Sequence, residues 1–100
     1  MELKTGRFSV KKLRFAADVF KTIAYPVRLE ILEILEDGKA HSVSEMLEQT
    51  GVEASLFSHH LAKMRDKGLI ESHREGRRIY YTLAMKEITN ILDCVAYCNV

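Results

Sequence analysis

Gly51 to Leu69 reads GVEASLFSHHLAKMRDKGL, and this stretch decides the fold. A short turn enters one amphipathic helix, expected over about residues 54–66. Leu56, Phe57, Leu61, Met64 and Leu69 recur at helical spacing, the signature of a helix packed on one side only. Ser55, Ser58, His59, Lys63 and Arg65 occupy much of the remaining surface. Hydroxyls, imidazoles, an ammonium and a guanidinium are the groups that read base edges and grip phosphates. The stretch is therefore expected to be the recognition helix of a helix-turn-helix. The plainer reading is a solvated face on an ordinary helix.

Upstream of it, Ser42-Val43-Ser44-Glu45 opens a short helix with the capping-box pattern, Val43, Met46 and Leu47 face inward, and Gly51 ends it. A short helix, a glycine-containing turn and a second helix make the helix-turn-helix arrangement. Further back, Val10 to Ala24 carries Val10, Leu13, Ala16, Ala17, Phe20, Ile23 and Ala24 at helical spacing behind Ser9 as N-cap. Tyr25-Pro26 breaks that helix and starts the next, Pro26 to Glu36, which Asp37-Gly38-Lys39 terminates. Residues 1–9 show no period and are expected to form an arm ahead of a single domain over residues 10–98.

Downstream of Gly68 the period changes to two. Leu69–Arg74 and Arg78–Leu83 flank Glu75-Gly76-Arg77, a β-hairpin signal. A two-stranded ribbon over about residues 70–82, with Arg74, Arg77 and Arg78 near its tip, has the makings of a wing. The alternative is a plain hairpin with a solubilising tip. Ala84 to Cys98 returns to helical spacing through Ile88, Ile91, Leu92, Val95 and Cys98. The fold class expected is mainly α with a small β-hairpin, a winged helix-turn-helix of five helices and a two-stranded wing. Both terminal helices are apolar enough to need a partner surface, so a homodimer joined through the first and last helices is expected; the plainer reading is that the two helices cover each other within one chain.

A chain of 100 residues with 47% hydrophobic and 29% charged residues is globular. No apolar run is long enough to span a bilayer and no signal core follows the start, so a cytoplasmic protein without membrane contact is expected. The net charge of +1 hides segregation. Residues 1–28 carry seven Lys and Arg against two acids; residues 29–52 carry one against six; residues 53–83 carry six against four, with three histidines. Such segregation favours an anionic partner for particular faces. No nucleophile–base constellation, phosphate-cradling glycine loop or apolar carboxylate pair is present, so an enzyme is not expected.

Pro26-Val27-Arg28-Leu29-Glu30-Ile31-Leu32, Ser58-His59-His60-Leu61, Gly68-Leu69-Ile70 and the Arg-rich hairpin ending Tyr80-Tyr81-Thr82-Leu83 together resemble the ArsR/SmtB winged-helix repressors. The resemblance covers roughly residues 10–98. It implies a homodimer whose recognition helices enter successive major grooves of a double-stranded DNA operator, with wings on the flanking backbone, and repression relieved by a metal ion or an oxidant. A winged-helix module for protein contact, without inducer sensing, is the second functional class. Two family features have no counterpart here: the Cys-x-Cys box in Ser42 to Thr50, and the Asp-x-His and His-x-x-Glu zinc pattern in Ala84 to Val100, which holds no histidine. Glu53 and Ala54 also stand where many members place a hydroxyl or amide.

Ser55, Ser58 and His59 are the candidates for base-edge contact, since the N-terminal half of a recognition helix reaches bases. His60 is a DNA candidate or a packed histidine that orients the helix. Lys63, Arg74, Arg77 and Arg78 are phosphate candidates. Cys94 and Cys98 are the only sensory chemistry in view. Spaced four apart on one face of the last helix, they could bind a soft metal, be oxidised, or act as small hydrophobes. That metal is the one cofactor the chain suggests.

Overall fold

The computed structural model describes residues 6–100. The described elements run α1 (Val10–Ile23), α2 (Pro26–Leu35), β1 (His41–Ser42), α3 (Val43–Thr50), α4 (Ala54–Asp66), β2 (Ile70–Glu75), β3 (Arg78–Leu83), a 3₁₀ turn (Lys86–Ile88) and α5 (Thr89–Ala96). This is the mainly α, winged arrangement expected. Of the arm over residues 1–9, residues 1–5 lie outside the described part and residues 6–9 belong to no helix or strand.

Local chemistry sets the helix ends. Ser9 Oγ accepts from Lys12 N–H at 3.1 Å to cap α1. Pro26 occupies the first turn of α2, where a missing N–H costs nothing. Ser42 Oγ accepts from Glu45 N–H at 3.1 Å and caps α3. Gly51 closes α3 in the left-handed region, φ 69°, donating its N–H to the Leu47 carbonyl at 2.9 Å. Glu53 caps α4, its carboxylate accepting from Leu56 N–H at 2.8 Å.

The core sits where α2, α3 and α4 meet the sheet. Ile31, Leu32 and Leu35 from α2, Met46 from α3, and Phe57, Leu61 and Met64 from α4 are buried with Leu69, Ile70, Tyr81 and Leu83. Fixing α4 through these residues leaves its opposite face in water. No described helix is long and apolar enough to cross a membrane.

The two-stranded ribbon forms from β2 and β3 as expected, and a short third strand joins it: His41 and Ser42 pair antiparallel with Tyr81 and Tyr80, giving the order β1-β3-β2. Three expectations need correction. Leu56 is 49% exposed and lies outside the apolar stripe, because the core face of α4 is centred on Phe57, His60, Leu61 and Met64. Of the stripe expected on α1 only Ile23 is buried, alongside Val19 and Thr22, while Phe20 and Phe15 are half-exposed among the described residues. The last helix does not begin at Ala84. The N–H groups of Ala84 and Met85 both donate to the Leu69 carbonyl, at 2.9 and 3.1 Å, which ties the strand exit to the sheet and delays α5.

Candidate nucleic-acid interface

The exposed face of α4 carries Ser55, Ser58, His59 and Lys63, all exposed side chains. Lys63 and Arg65 lie in its last turn, where cations oppose the negative end of the helix dipole. Glu53, the acid nearest the start, is occupied as the N-cap.

His60 is turned the other way. It is 7% exposed, and its Nδ1 accepts from Arg28 Nε at 2.9 Å. Both the burial and the bond draw the ring inward, which favours the packed-histidine reading over DNA contact. Burial, then the charge of Arg28 and that of His59, push His60 below its ordinary 6.5. Arg28 is itself buried, without a carboxylate at ion-pair distance among the described residues. Its other contacts are the Thr22 carbonyl, 2.7 Å from Nη1, and the Tyr25 ring, 4.1 Å from the guanidinium carbon. One side chain thus ties the end of α1 to α2 and to the inward face of α4, fixing how α4 is presented.

A second clamp holds the other helix of the motif. His41 Nδ1 faces Glu45 Oε2 at 2.6 Å, and Nε2 faces Asp37 at 2.8 Å. A carboxylate on each ring nitrogen favours the imidazolium, the form that can donate to both. Burial pulls His41 down, but hydrogen bonds to Glu45 and Asp37, together with their charges, outweigh it and raise it above 6.5. Asp37 lies below its ordinary 3.8, held by the Lys39 N–H and by His41. Since Glu45 is spent on His41, the reciprocal half of the capping box is not made.

The wing turns at Gly76, φ 61°, the first residue of a two-residue loop closed by the Glu75–Arg78 pair. Arg74, Arg77 and Arg78 are exposed, and His73 stacks on Tyr80 with ring centroids 5.6 Å apart. Between the wing, the start of α3 and one flank of α4 lies an open cleft of about 400 Å³. Ser42, Ser44, Ser58, Arg65, Arg77 and Arg78 supply its polar lining. The cleft brings together Ser58, Arg77 and Arg78 from the sequence candidates, and leaves Ser55, His59, Lys63 and Arg74 outside. It adds Ser42 and Ser44, which the sequence did not single out as a site, and Arg65, which the sequence placed on the polar face of the helix without assigning it a contact. Its composition could not be foreseen, because β1 was too short to show that Ser42 reaches the wing.

Cys94 and Cys98 are free and exposed. They do not share an intact helix as expected: α5 ends at Ala96, and Cys98 follows in a final turn with its S–H directed to the Cys94 carbonyl at 3.7 Å. No group of three or more His, Cys, Asp and Glu suited to a metal ion occurs among the described residues.

Comparison with known proteins gives consistent matches. A sequence model described as "Bacterial regulatory protein, arsR family" matches residues 25–72. The HTH-type transcriptional regulator YgaV of Escherichia coli K12 is 39% identical over 85 residues, covering 83% of this chain and 86% of the relative. The structure of HlyU from Vibrio cholerae superposes with a TM-score of 0.81 at 30% identity, covering 90% of this chain and 99% of that one. The transcriptional repressor PagR of Bacillus anthracis gives a TM-score of 0.74 at 32% identity, covering 85% and 97%.

Proposed function

The chain belongs to the ArsR family of bacterial regulatory proteins and is a DNA-binding transcriptional repressor of that type; from that premise we propose that it works as a homodimer joined through α1 and α5. Two α4 helices enter successive major grooves, and the wings lie along the flanking backbone. Ser55, Ser58 and His59 meet base edges, while Lys63, Arg74, Arg77 and Arg78 meet phosphates. The observation that carries this reading is the outer face of α4: hydroxyls, an imidazole and an ammonium, all exposed, on a helix whose inner face is locked by Phe57, His60, Leu61 and Met64. Half-exposed Phe15 and Phe20 on α1, with Val95 on α5, support the dimer. The free, exposed thiols of Cys94 in α5 and Cys98 just beyond it support relief of repression by thiol oxidation or a soft metal ion.

Selection from a random duplex pool should yield a preferred site with two half-sites about one helical turn apart. Arg77→Ala should then weaken binding to selected and random duplexes alike and reduce the salt slope by about one. An unchanged slope would place Arg77 off the interface, and failure to bind any duplex at low salt would overturn the reading. Cys94→Ser and Cys98→Ser variants that respond to Zn²⁺ and to a disulfide donor as the parent does would remove the sensing role alone.

A further inference from the structure

The arginine-lined cleft is a concave place where cations converge with no acid among the lining residues. Arg65 comes from α4, Arg77 and Arg78 from the wing, and no carboxylate lines it. None of the three guanidinium groups has an ion-pair partner among the described residues. Like charges brought together at no electrostatic gain are a cost in the free protein, and an oxyanion repays it. The hydroxyl of Ser44 adds a neutral donor, and Val43, Leu61, Ala62 and Ile79 form a less polar floor. The cleft also meets the first turn of α3, where N–H groups lack intrahelical acceptors and Ser42 Oγ satisfies only that of Glu45. Glu45, the acid that would repel an anion there, is held by His41 at 2.6 Å and is not part of the lining.

We infer that this cleft is a seat for one phosphate group, with Arg65 as its third arm beside Arg77 and Arg78. The inference rests on the DNA-binding reading and deepens it: the occupant is one particular phosphodiester of the operator backbone in each half-site. A phosphate caught between α3, α4 and the wing fixes the register of α4 in the groove, whereas one touched by a single lysine only adds affinity. Guanidinium forks match phosphate oxygens in pairs, so charge alone does not replace them.

The test is a scan of the selected duplex in which single phosphates are replaced by uncharged methylphosphonates, read with the parent protein and with Arg65→Ala, Arg65→Lys and Ser44→Ala. One position per half-site should cost the parent about tenfold or more. The same replacement should cost Arg65→Ala much less, with Arg65→Lys resembling Ala and every other position unaffected by the variant. Inorganic pyrophosphate titrated against the DNA-free protein separates the other source of the same chemistry. Arg65-dependent binding of pyrophosphate, with no coupled position on the duplex, would assign the seat to a free phosphate compound. Arg65→Ala losing affinity evenly at all positions, with no Arg65-dependent pyrophosphate binding, would overturn the seat while leaving DNA binding intact. A parent that binds no duplex at all would instead fail the functional reading.

Discussion

Two histidines of the motif, His41 in β1 just ahead of α3 and His60 on α4, respond to protons in opposite senses, and their surroundings say which way each goes. His41 is wanted as a cation between Glu45 and Asp37, and its folded value is raised. Its contribution is complete below the unfolded value of 6.5 and is lost as pH rises through the folded value. His60 is wanted neutral, because its Nδ1 lone pair takes the Arg28 Nε proton, and its folded value is depressed. Its contribution is complete above 6.5 and falls away as pH drops through the folded value. Denaturant titrations from about pH 5 to about pH 8.5 should therefore separate them. His41→Gln should be destabilising at the acid end, by no more than about 1 kcal/mol given two partly exposed partners, with the deficit shrinking as pH rises. His60→Gln should show a deficit that grows toward alkaline pH. A deficit independent of pH in either variant would mean that packing, and not protonation, is what the ring supplies. The sequence offers His60 as a packed histidine, but neither its partner nor the His41 clamp is legible there. Arg28 and His60 are 32 residues apart, and no local pattern says that an arginine in an apolar helix turns inward to meet a histidine.

At the scale of elements, what the sequence made legible follows from length and period. The helix of Ala54–Asp66 and the strands Ile70–Glu75 and Arg78–Leu83 fall where apolar spacing puts them, because each repeats its pattern long enough to be counted. β1 has only two residues and no period to show, so the third strand and the cleft it helps to build were hidden. The start of α5 departs from the sequence pattern for another reason: Ala84 and Met85 keep helical spacing, but the Leu69 carbonyl claims both their N–H groups, and a tertiary bond overrides a local preference. The glycine between α3 and α4 was readable because its requirement is local. Gly51 sits at φ 69° with open space where a Cβ would be, so substitution meets backbone strain and no steric clash. Gly51→Ala should cost about 1–2 kcal/mol in thermal or urea unfolding, and Gly51→Asn clearly less, since asparagine tolerates the left-handed region. Equal losses for the two would show that the turn is held by something other than its dihedral angle.

Across the whole molecule, the charge segregation of the sequence resolves into clefts of opposite character. The acids of residues 29–52 place Glu30, Glu33 and Glu36 with Asp93 along a furrow of about 670 Å³ between α2 and α5. The arginines of α4 and the wing line the cleft assigned to phosphate. A near-neutral chain can thus direct one face to nucleic acid and keep another unfit for it. Between α1 and the segment from Met85 to Ile91 lies a smaller apolar hollow lined by Phe15, Ala16, Val19 and Phe20, with both phenylalanines 53% exposed. The proposed dimer covers these rings, and its value for DNA lies in making the second half-site contact intramolecular. Phe20→Glu puts a charge into that contact while removing little from the core of a single chain. Sedimentation should show the parent as a dimer at micromolar concentration and the variant shifted to monomer. Affinity for a duplex carrying both half-sites should then drop by about a hundredfold or more, while affinity for an isolated half-site changes little. Circular dichroism distinguishes dissociation from unfolding, and Phe15→Glu offers an independent probe of the same surface. A variant that remains dimeric with full affinity for the paired site would place the two-fold contact elsewhere, and a parent that is monomeric would remove the reason these helices leave their aromatic rings uncovered.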